Sequence, residues 1–225
     1  MMNRISDQEM VIIAARDMFW SRGYDNTSVE DLVKATGHNR YALYSMFGGK
    51  LELFLAVLDY YQKERRDIFL QTLSDHTRPP IEAIRDVFDF CVDQMAERGV
   101  GCLLGNIAGE VARKEPLVAR RIKTHFSEIL DACTYALERA QERGEINEAV
   151  KPKDGAQLLV ALVLGLGASV ECVQSPDDAR NSYRAALAAL SGDALSGKTS
   201  VTSQNQSQNF DSRPSVITEE TYTKK

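Results

Sequence analysis

One stretch constrains this 225-residue chain more than any other, the run from Thr27 to Lys50: Thr-Ser-Val-Glu-Asp-Leu-Val-Lys-Ala-Thr-Gly-His-Asn-Arg-Tyr-Ala-Leu-Tyr-Ser-Met-Phe-Gly-Gly-Lys. Ser28 suits a helix N-cap, and Asp31 three residues on comes close to completing a capping box. Val29, Leu32 and Val33 then fall on one face. Gly37, with no Cβ, suits the left-handed position that ends a helix. Asn39 can cap a second helix in which Leu43 and Phe47 point inward, four residues apart, while Arg40, Tyr41 and Tyr44 point outward. Gly48-Gly49 breaks the chain again before a third helix opens at Lys50. Residues 28–47 therefore read as a helix-turn-helix, with a bracing helix followed by a polar, aromatic one of the kind that lies in a major groove.

The flanking sequence builds a domain around that motif. Ser6 starts a helix with Glu9 at its third position, Val11, Ile12, Ala15, Met18 and Phe19 form its inner face, and Gly23 stops it. Burying Phe19, Leu32, Leu43 and Phe47 together makes a three-helix domain of residues 1–50. A long helix from Leu51 to about Leu73 carries Phe54, Leu55, Leu58 and Tyr61 at helical spacing. Thr77-Arg-Pro-Pro80 is a boundary, since two prolines cannot continue a helix but can begin one. Apolar stripes then predict helices from Ile81 to Gly99, from about Cys102 to Arg113, from Pro116 to Gly144, from Pro152 to about Gln174, and from Pro176 to Leu190. No stretch alternates as a strand does. The expected fold class is all-α, with a helical body over 51–191 and a polar tail over 192–225 that is expected to be disordered.

A net charge of −5 runs against the basic character usual in nucleic-acid binders. Residues 1–70 do not redress it, with nine Lys and Arg against ten Asp and Glu. Any affinity for DNA must come from local placement of Lys34, Arg40, Lys50 and helix N-termini, and should be strongly salt-dependent. The first residues lack the apolar core of a signal peptide, and the longest apolar run, Leu158 to Ala168, is far below the ~20 residues of a bilayer span. A cytoplasmic protein without a membrane partner is expected. Cys91, Cys102, Cys133 and Cys172 have no CxxC spacing, so they read as free thiols, with no metal site or cofactor, and Cys91, Cys133 and Cys172, mid-helix on apolar faces, read as core.

The motif residues also resemble a known family. Phe19, Gly23-Tyr24, Thr27-Ser28-Val29, Ala35-Thr36-Gly37, Leu43-Tyr44, Phe47-Gly48 and Lys50 match the DNA-binding domain of the tetracycline-repressor (TetR) family of bacterial transcriptional regulators, from about Ile5 to Val57. Beyond that point the likeness is a general helical layout. Tyr41 departs from the small residue usual there, and Met46 from a frequent histidine. The resemblance implies phosphate contacts at Tyr44 and Lys50, a coupling role for the long fourth helix, and a dimer formed by the last two helices, over about 154–190.

The residues themselves add detail. Asn39, Arg40 and Tyr41 stand at the end of the second motif helix, where base edges are read. Arg40 can pair bidentately with guanine, Asn39 is either a base contact or spent as a cap, and Tyr41 either meets a thymine methyl or packs on the backbone. Thr27, Ser28, Tyr44 and Lys50 read as phosphate contacts. His38, in the turn, either touches phosphate or faces solvent. Phe88, Met95, His125 and Phe126 either line a ligand cavity in the body or pack the core. Cys102, at a helix start, is either an activated thiolate that an oxidant or electrophile modifies, or a small packing residue. The helix from Asp154 is apolar nearly all round, which calls for cover by a second copy or by the rest of one chain. No phosphate loop, metal spacing or nucleophile elbow is present, so no catalytic residue is assigned. Together these point to a homodimeric regulator, a repressor released from a pseudo-palindromic operator by a small-molecule inducer. The alternative is a helical adaptor acting through protein contacts.

Overall fold

A computed structural model describes residues 6–99, 101–170 and 175–191. The tail, Cys172 and the continuation of the penultimate helix to Gln174 lie outside the described residues. Every regular element among the described residues is an α-helix: α1 (Asp7–Arg22), α2 (Val29–Thr36), α3 (Arg40–Phe47), α4 (Lys50–Leu73), α5 (Pro80–Arg98), α6 (Leu103–Glu110), α7 (Pro116–Glu142), α8 (Pro152–Val170) and α9 (Pro176–Ser191).

Local chemistry sets most of these limits. Ser6 Oγ accepts from Glu9 N and starts α1. Ser28 and Asp31 complete the reciprocal capping box of α2, and Gly37 ends it at φ 72° in the left-handed region. Asn39 caps α3 through Ala42 N at 2.8 Å. Pro80 and Pro116 occupy the first turns of α5 and α7, where a missing N–H costs nothing. α6 is shorter than the sequence reading. Cys102 precedes it, with its carbonyl accepting from Asn106 N, and a turn closed by Lys114 N on Val111 O ends it before Arg113.

Two apolar clusters result. One joins α1–α4 to α6 and the start of α7 through Phe19, Trp20, Leu32, Leu43, Phe54 and Leu104. The other fills the body between α5, α7, α8 and α9 around Phe88, Leu137, Leu159 and Tyr183. α4 contributes to both, with Leu53 to Tyr61 in the first and Phe69 and Leu73 in the second. At its far end Arg139, buried on α7, donates to the carbonyls of Leu73 and Asp75, each at 3.1 Å. This guanidinium satisfies the last carbonyl of α4 and one in the turn just beyond it, and complements the negative end of the helix.

α8 is less unsupported than its composition suggests. Ala156, Leu159 and Leu166 are buried among the chain's own helices, whereas Leu158, Ala161 and Gly165 are exposed along one side. Its crossing with the segment before α6 is close: a Cβ on Gly101 would stand 2.4 Å from the Gly167 carbonyl oxygen. No single helix among the described residues is long and apolar enough to cross a membrane.

Candidate nucleic-acid interface and internal cavity

α1, α2 and α4 brace α3 from behind. Leu43 and Phe47 of α3 face inward onto Phe19, Leu32 and Phe54, with Met46 packed beside them. The opposite side of α3 is open: Tyr41 is 83% exposed and Tyr44 41%. Arg40 is also exposed, its Nη1 3.3 Å from Glu30 Oε1 and its guanidinium 5.7 Å from the Tyr44 ring centre. An exposed pair of this kind is weakly held, leaving Arg40 able to exchange a carboxylate for a base edge. Lys34 is exposed on α2. Arg40, Tyr41 and Tyr44 thus form one outward group.

Other predicted contacts are placed differently. Thr27 is fully buried, its hydroxyl donating to Gly23 O at 2.7 Å and its N–H to Tyr24 O. It braces the α1–α2 turn, which overturns its reading as a phosphate contact. Ser28 is exposed, but its hydroxyl proton goes to Asp31 Oδ2 at 2.6 Å and its N–H to the same oxygen at 3.0 Å. Those bonds hold the Asp31 carboxyl below its usual range. A phosphate needs a donor, and in this structure Ser28 gives both of its own to the cap. Asn39 Oδ1 is taken by Ala42 N, the capping side of the alternative. Lys50 Nζ sits 4.2 Å from the Tyr24 ring centre, half-buried, and burial lowers its pKa. It lies at the junction between α4 and the α1–α2 turn and is not turned freely outward. His38 neither faces open solvent nor stands free: Nδ1 lies 3.0 Å from Thr36 O and Nε2 3.2 Å from Asp7 Oδ2. The Thr36 bond, then the Asp7 bond, raise its pKa.

In the body, Phe88, Met95, Cys102, His125 and Phe126 surround one cavity, partly open to solvent. Sequence reasoning missed Trp20, Tyr61, Arg65 and Gln94 on the same wall, and assigned Cys91 and Cys133, also on it, to core alone. Burial pushes both thiols up to about 12, so they stay protonated. Cys102 is half-buried with Sγ 3.6 Å from the Tyr61 hydroxyl. His125 is 4% exposed, and burial, with Arg65 nearby, lowers it to about 4. The imidazole is therefore neutral at pH 7.

Trp20 connects this cavity to the helix-turn-helix. It belongs to α1, stacks edge-on against Tyr61 at 5.3 Å, and donates from Nε1 to Gly101 O at 2.7 Å. Arg98 lies over its ring at 4.5 Å. Two further links run from the turn after α1 to α6 and the turn that follows it: Asp25 N donates to Glu110 Oε1 at 2.7 Å, and Lys114 pairs with Asp25. Among the described residues no group of three or more His, Cys, Asp or Glu could hold a metal ion.

Residues 11–57 match the model of bacterial regulatory proteins of the tetR family, and residues 80–186 that of the tetracyclin repressor-like C-terminal domain. The chain is 31% identical over 147 residues to an uncharacterized HTH-type transcriptional regulator, YezE, of Bacillus subtilis (strain 168), spanning 64% of this chain and 75% of the relative. It is 27% identical over 173 residues to the HTH-type transcriptional repressor ComR of Escherichia coli (strain K12), spanning 74% and 80% of the two chains. Among solved structures, reduced NemR of E. coli superposes with a TM-score of 0.71 at 19% identity, over 82% of this chain and 95% of that one. A cysteine mutant of the TetR family regulator CifR, solved with a 26-bp operator duplex, superposes with a TM-score of 0.70 at 21% identity, over 83% and 98%. The chain belongs to the tetR family of bacterial regulatory proteins, as a DNA-binding transcriptional regulator and not an enzyme.

Proposed function

We propose that the chain is a repressor that binds a pseudo-palindromic operator as a homodimer and is released when a small molecule occupies the cavity of the body. The observation that carries this reading is Trp20, a wall of the cavity that is also part of the helix supporting α2 and α3. A ligand that displaces the indole or the Gly101 segment acts on the placement of the DNA-binding face without touching DNA. It does so only through its preference for one arrangement over the other.

The second copy is placed on α8 and α9. Leu158, Ala161 and Gly165 form an exposed small and apolar strip on α8, and α9 lies beside it. Two recognition helices ~34 Å apart would then read half-sites one helical turn apart. Residues 1–50 form the DNA-binding unit in this reading and 51–191 the ligand-binding and dimer-forming unit. Arg40 and Tyr41 read base edges while Tyr44 contacts phosphate; Lys50 reaches phosphate by leaving the Tyr24 ring.

The test is fluorescence anisotropy of the full-length protein on the promoter flanking its own gene, at low and moderate salt, beside a scrambled duplex. Retention of the promoter alone supports the reading; equal or absent binding to both refutes it. An oxidant or electrophile as inducer would act at Cys102. Cys102→Ser should then abolish release by N-ethylmaleimide, and unchanged release eliminates that form of the signal.

A further inference from the structure

The cavity is apolar over most of its wall but positively charged at one place. Arg65, on α4, lies between the rings of Tyr61 and Phe90, with 5.1 and 4.9 Å to the ring centres, and donates from Nη2 to Gln94 Oε1 at 3.2 Å. Among the described residues no carboxylate lies within ion-pair distance of it, and no Asp or Glu lines the cavity. Two buried side-chain polar atoms lack a hydrogen-bond partner among the described residues, Arg65 Nε and His125 Nδ1, and both residues belong to this wall. Unpaired groups of this kind are costly to leave and favour a partner that supplies what is missing.

We infer that the cavity binds an apolar organic carboxylate, its anionic end between Arg65 Nε and His125 Nδ1 and its hydrocarbon or aromatic body against Phe69, Phe88, Met95, Phe126 and Val163. The choice among ligand classes follows from the wall. A cationic ligand would meet Arg65 with no anion to offset it. A small inorganic anion would leave the aromatic surface without a partner. A neutral apolar molecule would leave both polar atoms unpaired. A planar carboxylate matches the guanidinium fork, and a neutral imidazole with Nδ1 protonated donates to its second oxygen. Arg65 sits one turn beyond Tyr61, which stacks on Trp20, so a carboxylate held there lies next to the contact that reaches the DNA-binding face.

This inference rests on the cavity being the effector site, and two separate readouts divide the possibilities. Trp20 is the chain's single tryptophan, so its emission reports the cavity directly. The full-length protein is titrated with benzoate, 3-phenylpropanoate and octanoate, and with the corresponding primary amides, first alone and then on labelled promoter. At least one carboxylate should bind tenfold or more tightly than its amide. Arg65→Gln should remove that difference while leaving amide binding in place, and Arg65→Lys should restore part of it. Equal binding of acid and amide to the unaltered protein overturns the inference, whatever the variants do, as does failure of all three acids to bind. If the amide binds equally and releases DNA, the effector role of the cavity stands and the carboxylate inference falls. If the acid binds with the Arg65 dependence but does not release DNA, the carboxylate inference stands and the effector role falls.

Discussion

Gly101→Ala tests the junction between cavity, α8 and the DNA-binding face. The added Cβ would lie 2.4 Å from the Gly167 carbonyl oxygen and 2.7 Å from its carbon, where ordinary contacts begin near 3.4 Å. The obstacle is backbone, so it cannot rotate away, and the segment before α6 must part from α8 by about 1 Å. Overpacking of that kind costs about 1–3 kcal/mol. For a chain of this size each kcal/mol moves Tm by roughly 2–4 °C, so a cost of about 2 kcal/mol lowers it by about 4–8 °C. Because Gly101 O is the acceptor for Trp20 Nε1, the same shift should move the tryptophan emission to the red. Gly105→Ala is the control four residues on. There the new Cβ meets a flexible methyl, Leu164 Cδ2, at 3.3 Å, inside a helix where alanine gains up to about 1 kcal/mol over glycine. It should leave Tm unchanged or raise it. Thermal melts followed by circular dichroism at fixed protein concentration, with emission spectra, decide the matter. A Gly101→Ala protein melting within 1 °C (about 0.3 kcal/mol) of the parent, with unshifted emission, refutes the close-crossing argument.

Arg40→Ala should weaken operator binding by about 1–3 kcal/mol per half-site, roughly 5- to 150-fold, and relax preference at one base pair; a loss uniform across all sequences would make Arg40 a phosphate contact instead. Thr27→Val should cost the head about 1 kcal/mol of stability through its lost bond to Gly23 while leaving the salt slope of DNA binding unaltered, and a slope reduced by about one per chain would reinstate a phosphate contact. His38 should titrate above 6.5 by NMR, since the Thr36 carbonyl and then Asp7 favour its charged form. The stability it contributes is complete below pH 6.5 and is lost as pH rises through the higher folded value. Asp7→Asn should lower the folded pKa without returning it fully, and a parent value at or under 6.5 would contradict the geometry.

What was readable in advance was what short-range chemistry decides. Ser28, Gly37 and Asn39 each act on groups within four residues, so the boundaries of α2 and α3 follow from the residues alone. Trp20 was not readable, because it lies off the stripe of Val11, Ala15 and Phe19 and is buried by groups distant in sequence, the Tyr61 ring, Arg98 and the Gly101 carbonyl 81 residues later. Thr27 looked like a surface hydroxyl beside a cap; its burial depends on how the turn folds back onto Gly23. Four cavity residues, Phe88, Met95, His125 and Phe126, were singled out by apolar spacing and a lone histidine, and Cys102 by its place at a helix start. Arg65 was not, since a basic residue in a charged run of α4 resembles a solvated one until α5 and α7 are placed beside it. Cys91 and Cys133 fit core packing equally well in sequence, and only the separation of the helices makes them wall.

The clasp of Arg139 on the carbonyls of Leu73 and Asp75 limits how α4 can move. With its lower end tied to α7, the helix has little freedom to slide along its axis and is left to swing. At 24 residues it is ~36 Å long, so a swing of only about 5° carries the Lys50 end through ~3 Å. That distance is comparable to a hydrogen bond, enough to take a side chain out of register with a groove. A fulcrum at the base thus converts a small disturbance midway along the rod, where Tyr61 and Arg65 sit, into a larger excursion at the tip.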